Sequence, residues 1–335
     1  MKKQFVILIL CTCATGISAR TTGQIPSDYY ASLHNKADSV LKSALSAILN
    51  ADSVRIFGYG SGEGHTWEAF YMTDRDTTDN SVMDVYSSVL RYFDSEHPAA
   101  SVSGCDIEHS MPNSWWGGNT GCHTAYCDLH ILLPADYSAN RSKSNIPPGY
   151  VAVPAGFDNG VWRNGKPQST ETVVFPEGVS RVFEPSNEYK GDFARIFFYA
   201  ATRYEAERWI TDKPTVEAYY AMQNDTYLEF QPWLQTLLLE WHRADSVSLR
   251  EKERQEKVFG LQRNRNPFVD YPELVEYIWG ERQGQVFWPD TVPTAILQNV
   301  TEQTPPVKRI NRGRVVIQHM KRSYSANGKI IGQRQ

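Results

Sequence analysis

The order of apolar and polar positions divides the chain into stretches of different character. After Ile25-Pro26-Ser27-Asp28, apolar residues recur at Leu33, Ala37, Val40, Leu41, Ala44, Leu45 and Ile48. That spacing predicts a packing helix, which Ser27 can cap. Val54 to Tyr59 reads as a short strand ending in the loop Gly60 to Gly64, and Thr66 to Met72 (TWEAFYM) reads as a second strand before an acidic turn at 74–79. Residues 101–145 lack a long apolar period and are loop-rich, as segments that carry chemistry on a rigid scaffold often are. Residues 146–180 are rich in Pro, Gly and Asn and predict irregular chain with short strands. From Gly191 the pattern turns helical: Asp192 to Trp209 is strongly amphipathic, and helices are expected at 215–222, 232–241, 246–259 and 272–279. Asp245 or Ser246 can cap the helix at 246–259, whose charges alternate in sign, the pattern of a solvated face. After Trp288 the chain is polar and Pro-rich, with one strand suggested at Val315-Val316-Ile317.

The first residues form a separate signal. Lys2 and Lys3 precede the apolar run Phe5 to Cys11, and Gly16-Ile17-Ser18-Ala19 offers a cleavage site, so residues 1–19 read as a secretory signal peptide. The run is too short to stay as a spanning helix, and Leu10 before Cys11 and Thr12 before Cys13 do not suit a lipoprotein anchor. No later stretch looks able to span a membrane, so no stable insertion is expected. Removing residues 1–19 takes away Lys2 and Lys3 and no acid, which lowers the net charge from −4 to −6. That balance is not the mark of a nucleic-acid binder, although a local basic groove is compatible with it. Residues 303–335 hold eight Lys or Arg and no acid, which fits either added affinity for polyanions or a sorting or attachment tail. With two cysteines in the leader, Cys105, Cys122 and Cys127 can form at most one disulfide, expected to brace the loop between them. A zinc site from Cys122, His123 and Cys127 is the lesser alternative. The glycines at 60–64 lack the Lys-Ser/Thr of a P-loop, and neither HExxH nor Gly-x-Ser-x-Gly occurs.

The chemistry concentrates in Ile107-Glu108-His109-Ser110-Met111-Pro112, Asp128-Leu129-His130-Ile131-Leu132-Leu133-Pro134-Ala135-Asp136 and Asn140-Arg141-Ser142-Lys143-Ser144-Asn145. The first two pieces predict antiparallel strands, with Pro134 stopping the second and a helix over 135–144 carrying Asp136 near its first turn. Such a unit can hold Glu108, His109 and Asn140 around one point. Histidine serves as a base near neutral pH, and magnesium accepts one carboxylate, one amide oxygen and water. Because neighbours on a strand face opposite ways, the arrangement requires a bend at Glu108–His109. A bare Glu-His pair is a surface feature by default, and a lone Asn on a helix is usually solvent-facing or a cap.

Taken together, IEHSMPNSWW (107–116), DLHILLPAD (128–136), NRSKSN (140–145), FEPSNEYKGDFARIFFYAATRY (183–204) and NRNPFVDYPELVEYIW (264–279) resemble, in order, the bacterial endonuclease I family of secreted nucleases, over roughly residues 30–290. The resemblance implies an α+β fold with a ββα-metal (His-Me finger) core surrounded by helices. Residues 20–290 would form the catalytic domain and 291–335 a linker and basic tail. It implies an exported, monomeric, metal-dependent endonuclease that cuts DNA and/or RNA with little sequence preference, leaving a 5′-phosphate and a 3′-hydroxyl. Little preference follows if contacts go to phosphates rather than base edges. By the same resemblance His109 is the general base, and Glu108 and Asn140 hold Mg2+, for which Mn2+ or Ca2+ can substitute. Arg141, Lys143, Arg195 and Arg265 are the substrate-binding candidates, with Asp128, His130 and Glu184 in support. His130 is expected to be packed rather than a ligand, and His242 has no assigned role. The chain departs from the family at Ile131, often Asn or His there. It also departs in Gly117 to Cys127, which has no arginine to match the family's phosphate-binding one. Arg141, Lys143 or Arg195 would substitute. Arg195 fits a structural ion pair equally well, Glu184 a fold-building role, and Arg263 and Arg265 either the nucleic-acid backbone or a brace for the last helix. The competing reading is an exported nucleic-acid-binding protein that kept the fold and lost turnover.

Overall fold

The computed structural model describes residues 25–116, 124–207, 209 and 214–289, together with the course of four strands between 307 and 333. The expected leader, 1–19, lies outside these residues, as do Cys122 and His123. The chain divides into two compact units, 1–288 and 289–335.

The first expected helix is broken. A 3-10 turn covers Ala31–Leu33, Asn35 takes a left-handed φ of 59°, and α1 runs only over Asp38–Leu49. Leu41, Leu45 and Leu49 then face the core one turn apart. Val54 to Tyr59 finds no strand partner, and its one pairing is the bridge from Gly58 to His65. Thr66 to Met72 is not a strand but helix α2, Thr66–Thr73. Its aromatic residues favour a strand by propensity, but its buried positions, Thr66, Trp67, Ala69, Phe70 and Thr73, follow helical spacing, and packing decides.

The central unit is β1 (Cys105–His109), β2 (Leu132–Asp136) and α3 (Tyr137–Lys143). The strands are antiparallel, with Glu108 opposite Leu133 and His109 opposite Leu132. Pro134 sits inside β2, opposite Ile107, and does not end it. A two-stranded ribbon gives each strand a free edge, where a missing N–H is tolerated. Asp136 is both the last residue of β2 and the cap of α3, its Oδ1 accepting the Ala139 N–H at 2.9 Å.

A second sheet, β3 (Val151–Asp158), β4 (Trp162–Pro167) and β5 (Val182–Pro185), is antiparallel in that order. Asn164 on β4 donates to the Ser142 carbonyl at 2.9 Å and so ties this sheet to α3. Then come α4 (Lys190–Arg203), α5 (Val216–Ala221), α6 (Pro232–Ala244), α7 (Leu249–Gln262), α8 (Pro267–Asp270) and α9 (Leu274–Ile278). All of α4 is buried, with α1, α6 and α8 packed around it. Such a helix is the middle of a helical layer rather than an amphipathic surface element. The architecture is therefore α+β, with a ββα unit set against helices.

The charged helix α7 is not a solvated face. It starts at Ser248, which forms a capping box with Glu251. Its polar side chains enter the protein: Glu251 pairs with Arg195 at 2.6 Å, Arg254 with Asp74 at 2.6 Å, and Gln262 donates to Asp128 at 2.7 Å. Asp128 is fully buried and also accepts from Arg203 (2.5 Å), Tyr199 (2.9 Å) and Tyr204 (2.9 Å). Burial alone would raise its pKa. Arg203 leads the contacts that outweigh burial and hold the carboxyl below its usual range.

The second unit is an antiparallel meander of β6 (Val307–Asn311), β7 (Arg314–His319), β8 (Arg322–Ser325) and β9 (Ile330–Gln333). The single strand expected at Val315–Ile317 is thus one of four. Among the described residues no helix is long and apolar enough to cross a membrane.

Arg203→Ala leaves Asp128 as a buried, uncompensated charge. The expected cost is about 3–5 kcal/mol, read as a lowered urea midpoint with an unchanged slope; a midpoint within error of wild type would exclude this role.

Candidate active site

β1 delivers two of the candidate site residues from adjacent positions. Its pairing runs without a bulge through His109, and the Ser110 N–H continues it to the Ile131 carbonyl at 3.1 Å. No bulge marks the bend expected at Glu108–His109. Glu108 reaches α3, where its Oε1 meets Lys143 Nζ at 2.5 Å, while His109 sits among Tyr59, Trp116 and Tyr126.

The His109 ring lies 14° from parallel to Tyr59 and is almost wholly buried. Its Nε2 lies 3.0 Å from the Tyr126 carbonyl. A carbonyl only accepts, so Nε2 carries the proton and, in the neutral ring, Nδ1 holds the free lone pair. Burial pushes the His109 pKa down to about 4; the Tyr126 carbonyl opposes this and the Lys143 ammonium adds to it. At neutral pH the ring is an uncharged base of fixed tautomer.

The residue after next behind Tyr126 is Asp128, so the buried network described above also fixes the carbonyl that holds His109. Asp128 supports the site through this short stretch of chain. His130 is packed: its Nε2 contacts the Asn264 carbonyl at 3.2 Å, and burial lowers its pKa to about 4. The Ile131 side chain is fully buried in the core.

On the α3 side, Asn140 Nδ2 donates to Asp106 Oδ2 at 3.2 Å. Asp106 stands two residues before Glu108, on the same face of β1. Sequence reasoning passed over it, although the alternation Asp-Ile-Glu carried the signal. Glu108 is buried, and its pKa is raised by burial, against Lys143 and with the help of Asp106. Two carboxylates and an amide oxygen are hard donors of the kind magnesium takes, with water filling the remaining positions. The Asn140 Oδ1 accepts no hydrogen bond among the described residues. These residues fit a divalent cation in donor type.

The four cations expected at the substrate have different placements. Lys143 is completely buried, bound to Glu108 and, at 3.0 Å, to the His109 carbonyl. It holds the site together from within and offers no surface to a phosphate. Arg195 is buried between Glu251, Asp192 and the Asp245 carbonyl, and Arg265 between Asp270 and Glu256. Both are structural ion-pair partners, and Arg265 braces the α7–α8 turn. Arg141 alone is exposed, its guanidinium 4.0 Å over the Tyr137 ring. Glu184 accepts from the Val151 N–H, Arg163 and Lys190, joining β3, β4, β5 and α4. Its role is in the fold. Cys105 and Cys127 are free thiols, so no disulfide joins them.

The Endonuclease I family profile matches residues 37–273. The chain belongs to the endonuclease I family. Among its relatives is the extracellular ribonuclease of Bacillus amyloliquefaciens, 30% identical over 255 residues, covering 75% of this chain and 78% of that protein. The extracellular ribonuclease of Bacillus subtilis (strain 168) is 30% identical over 257 residues, with the same shares covered. As an endonuclease I family member the chain is a nuclease, a hydrolase of phosphodiester bonds.

The tautomer and the depressed pKa are directly measurable. Nitrogen-15 NMR at pH 7 is expected to show His109 neutral with Nε2 protonated, and titrating toward about 4. A midpoint near 6.5, the ordinary histidine value, would contradict the burial argument.

Proposed function

We propose that this chain is an exported, divalent-metal-dependent endonuclease with little sequence preference, acting as a monomer on RNA and/or DNA, with His109 as general base. The observation that carries the proposal is the Nε2 contact of His109 with the Tyr126 carbonyl, which leaves Nδ1 as the only basic atom of a neutral ring. Export is supported by the leader-like residues 1–19 and by the two Bacillus relatives, both of them extracellular ribonucleases.

In this reading Glu108 and Asn140 hold Mg2+, with Asp106 beside them, and Mn2+ or Ca2+ can take its place. When bound, the cation supplies neutralisation of charge on the phosphate and on the leaving oxygen. The protein's own part is positional. His109 Nδ1 takes a proton from the attacking water, whose oxygen bonds to phosphorus. The bond from phosphorus to the 3′-oxygen breaks, that oxygen leaves as a hydroxyl after gaining a proton from solvent, and the phosphate stays on the 5′ side. Lys143 pairs with Glu108 and opposes the upward push of burial on its carboxyl, and Arg141, one residue beyond Asn140, is an exposed cation available to the substrate.

His109→Ala is expected to slow cleavage of single-stranded RNA or plasmid DNA by at least ~100-fold, and EDTA to abolish it in the wild type. Because the base-competent form is the neutral ring and its pKa is depressed, activity should persist below pH 6 and be lost only toward about pH 4. If no divalent metal supports cleavage of either substrate, the reading falls, and a nucleic-acid-binding protein without turnover takes its place.

A further inference from the structure

A polar cleft of about 410 Å³ opens at the C-terminal end of α3, the helix that carries Asn140. Its floor is Arg141 and Ser144; one wall is the segment 178–181 that leads into β5, the other is α5, with Glu217 and Tyr220. We infer that this cleft is a subsite for one nucleotide of an unpaired strand, adjacent to the nucleotide being cut. The inference rests on the nuclease reading above and adds the form of its substrate.

Three features point there. The first is free positive charge. Arg195, Arg203, Arg254 and Arg265 are each engaged by carboxylates. Arg141 and Arg181 have no carboxylate partner among the described residues, are both exposed, and line this cleft. Arg181 is aimed rather than loose: its Nη2 donates to Asn164 Oδ1 at 3.0 Å, and the same Asn164 is bound to Ser142 of α3. The guanidinium keeps further N–H groups for an anion.

The second feature is an aromatic wall. Tyr220 lies so close to Gly178 that a Cβ there would stand 2.0 Å from the ring's Cζ. Gly178 is therefore required for the ring to occupy its place beside the cleft. An aromatic side chain in a cleft lined by guanidinium groups is a combination that binds single strands, with phosphate on the cations and a base on the ring.

The third is size and position. The volume is that of a small-ligand pocket and suits one nucleotide. Its volume has room for a single nucleotide and not for a base pair with its two backbones. The Ser144 N–H bonds to the Asn140 carbonyl at 3.0 Å, so the Ser144 end of the floor lies one helical turn, about 5.4 Å, from the proposed metal ligand. That is of the order of one step along an extended strand. Glu217 also lines the cleft, where one of its oxygens is engaged by the Asn145 amide at 3.1 Å. Phosphate binding falls to Arg141 and Arg181.

The test is binding in EDTA, where cleavage does not interfere, by fluorescence anisotropy of a labelled single-stranded RNA and of a labelled duplex. Wild type, Arg181→Ala and Arg141→Ala are compared over a salt series, with thermal melts to verify folding. The expected result is tighter binding of the single strand, weakened about 10-fold by Arg181→Ala, with a salt slope shallower by about one. In turnover with Mg2+, Arg181→Ala should raise KM far more than it lowers kcat. Unchanged single-strand affinity and KM in both variants would overturn the subsite, as would equal losses for single strand and duplex. Full displacement of the RNA by inorganic phosphate at equal phosphate concentration would reduce the cleft to a free-anion site and overturn it too. If wild type binds the strand as described but cleaves nothing with any divalent metal, the nuclease proposal fails and the subsite stands. If wild type cleaves and the variants match it, only the subsite fails.

Discussion

A single buried carboxylate, Asp128, organises the part of this protein that carries the candidate site. It lies at the end of the connection between the strands of the ββα unit and collects donors from α4 (Tyr199 and Arg203), from Tyr204 just beyond it, and from α7 (Gln262). A charge with no exposure is tolerated only when its lone pairs are nearly all used, and here they are. The constraint propagates outward. The Leu129 N–H bonds to Gln262, the Gln262 amide also reaches Asn264, and Asn264 donates to Tyr199. The connection that carries the Tyr126 carbonyl is thereby fixed to the helical layer, and the orientation of His109 depends on it.

Much of this organisation was legible in the chain, and the parts that were not share a cause. The ββα unit, the adjacency of Glu108 and His109, and the helices after Gly191 follow from periodicity and from the order of quoted motifs. Thr66–Thr73 did not, because eight residues rich in Trp, Phe and Tyr fit a strand by propensity and a helix by packing, and packing is a tertiary fact. Pro134 was expected to stop β2, but a ribbon of two strands has an edge that accepts it. Charge alternation over 246–258 suggested solvent, yet both Glu251 and Arg254 found a partner far away in sequence, which spacing along one helix cannot show.

At the candidate site the same division holds. Side chains such as His109, Glu108 and Asn140 carry a chemical identity in the sequence, and a family pattern assigns them. The Tyr126 carbonyl carries none, since every residue has one, so the group that selects the His109 tautomer is invisible until the backbone is traced. Cations are the reverse case. Lys143, Arg195 and Arg265 all looked available for phosphate, and burial against Glu108, Glu251 and Asp270 removed them from contention. Arg181 carries no signal in the sequence, because its value comes from an exposed position beside α3 and from having no carboxylate partner among the described residues.

Asp136 closes β2 and opens α3 with no residue in between, and Arg91 and Asp84 gather around the same carboxylate. A junction without a loop acts as a rigid lever between the strand pair and the helix. Asn140 is held against β1 by covalent geometry and not by a segment that must be ordered at each encounter. Ligand capture at this place then spends little conformational entropy, because the framework was immobilised once, during folding, and is not immobilised again for every substrate.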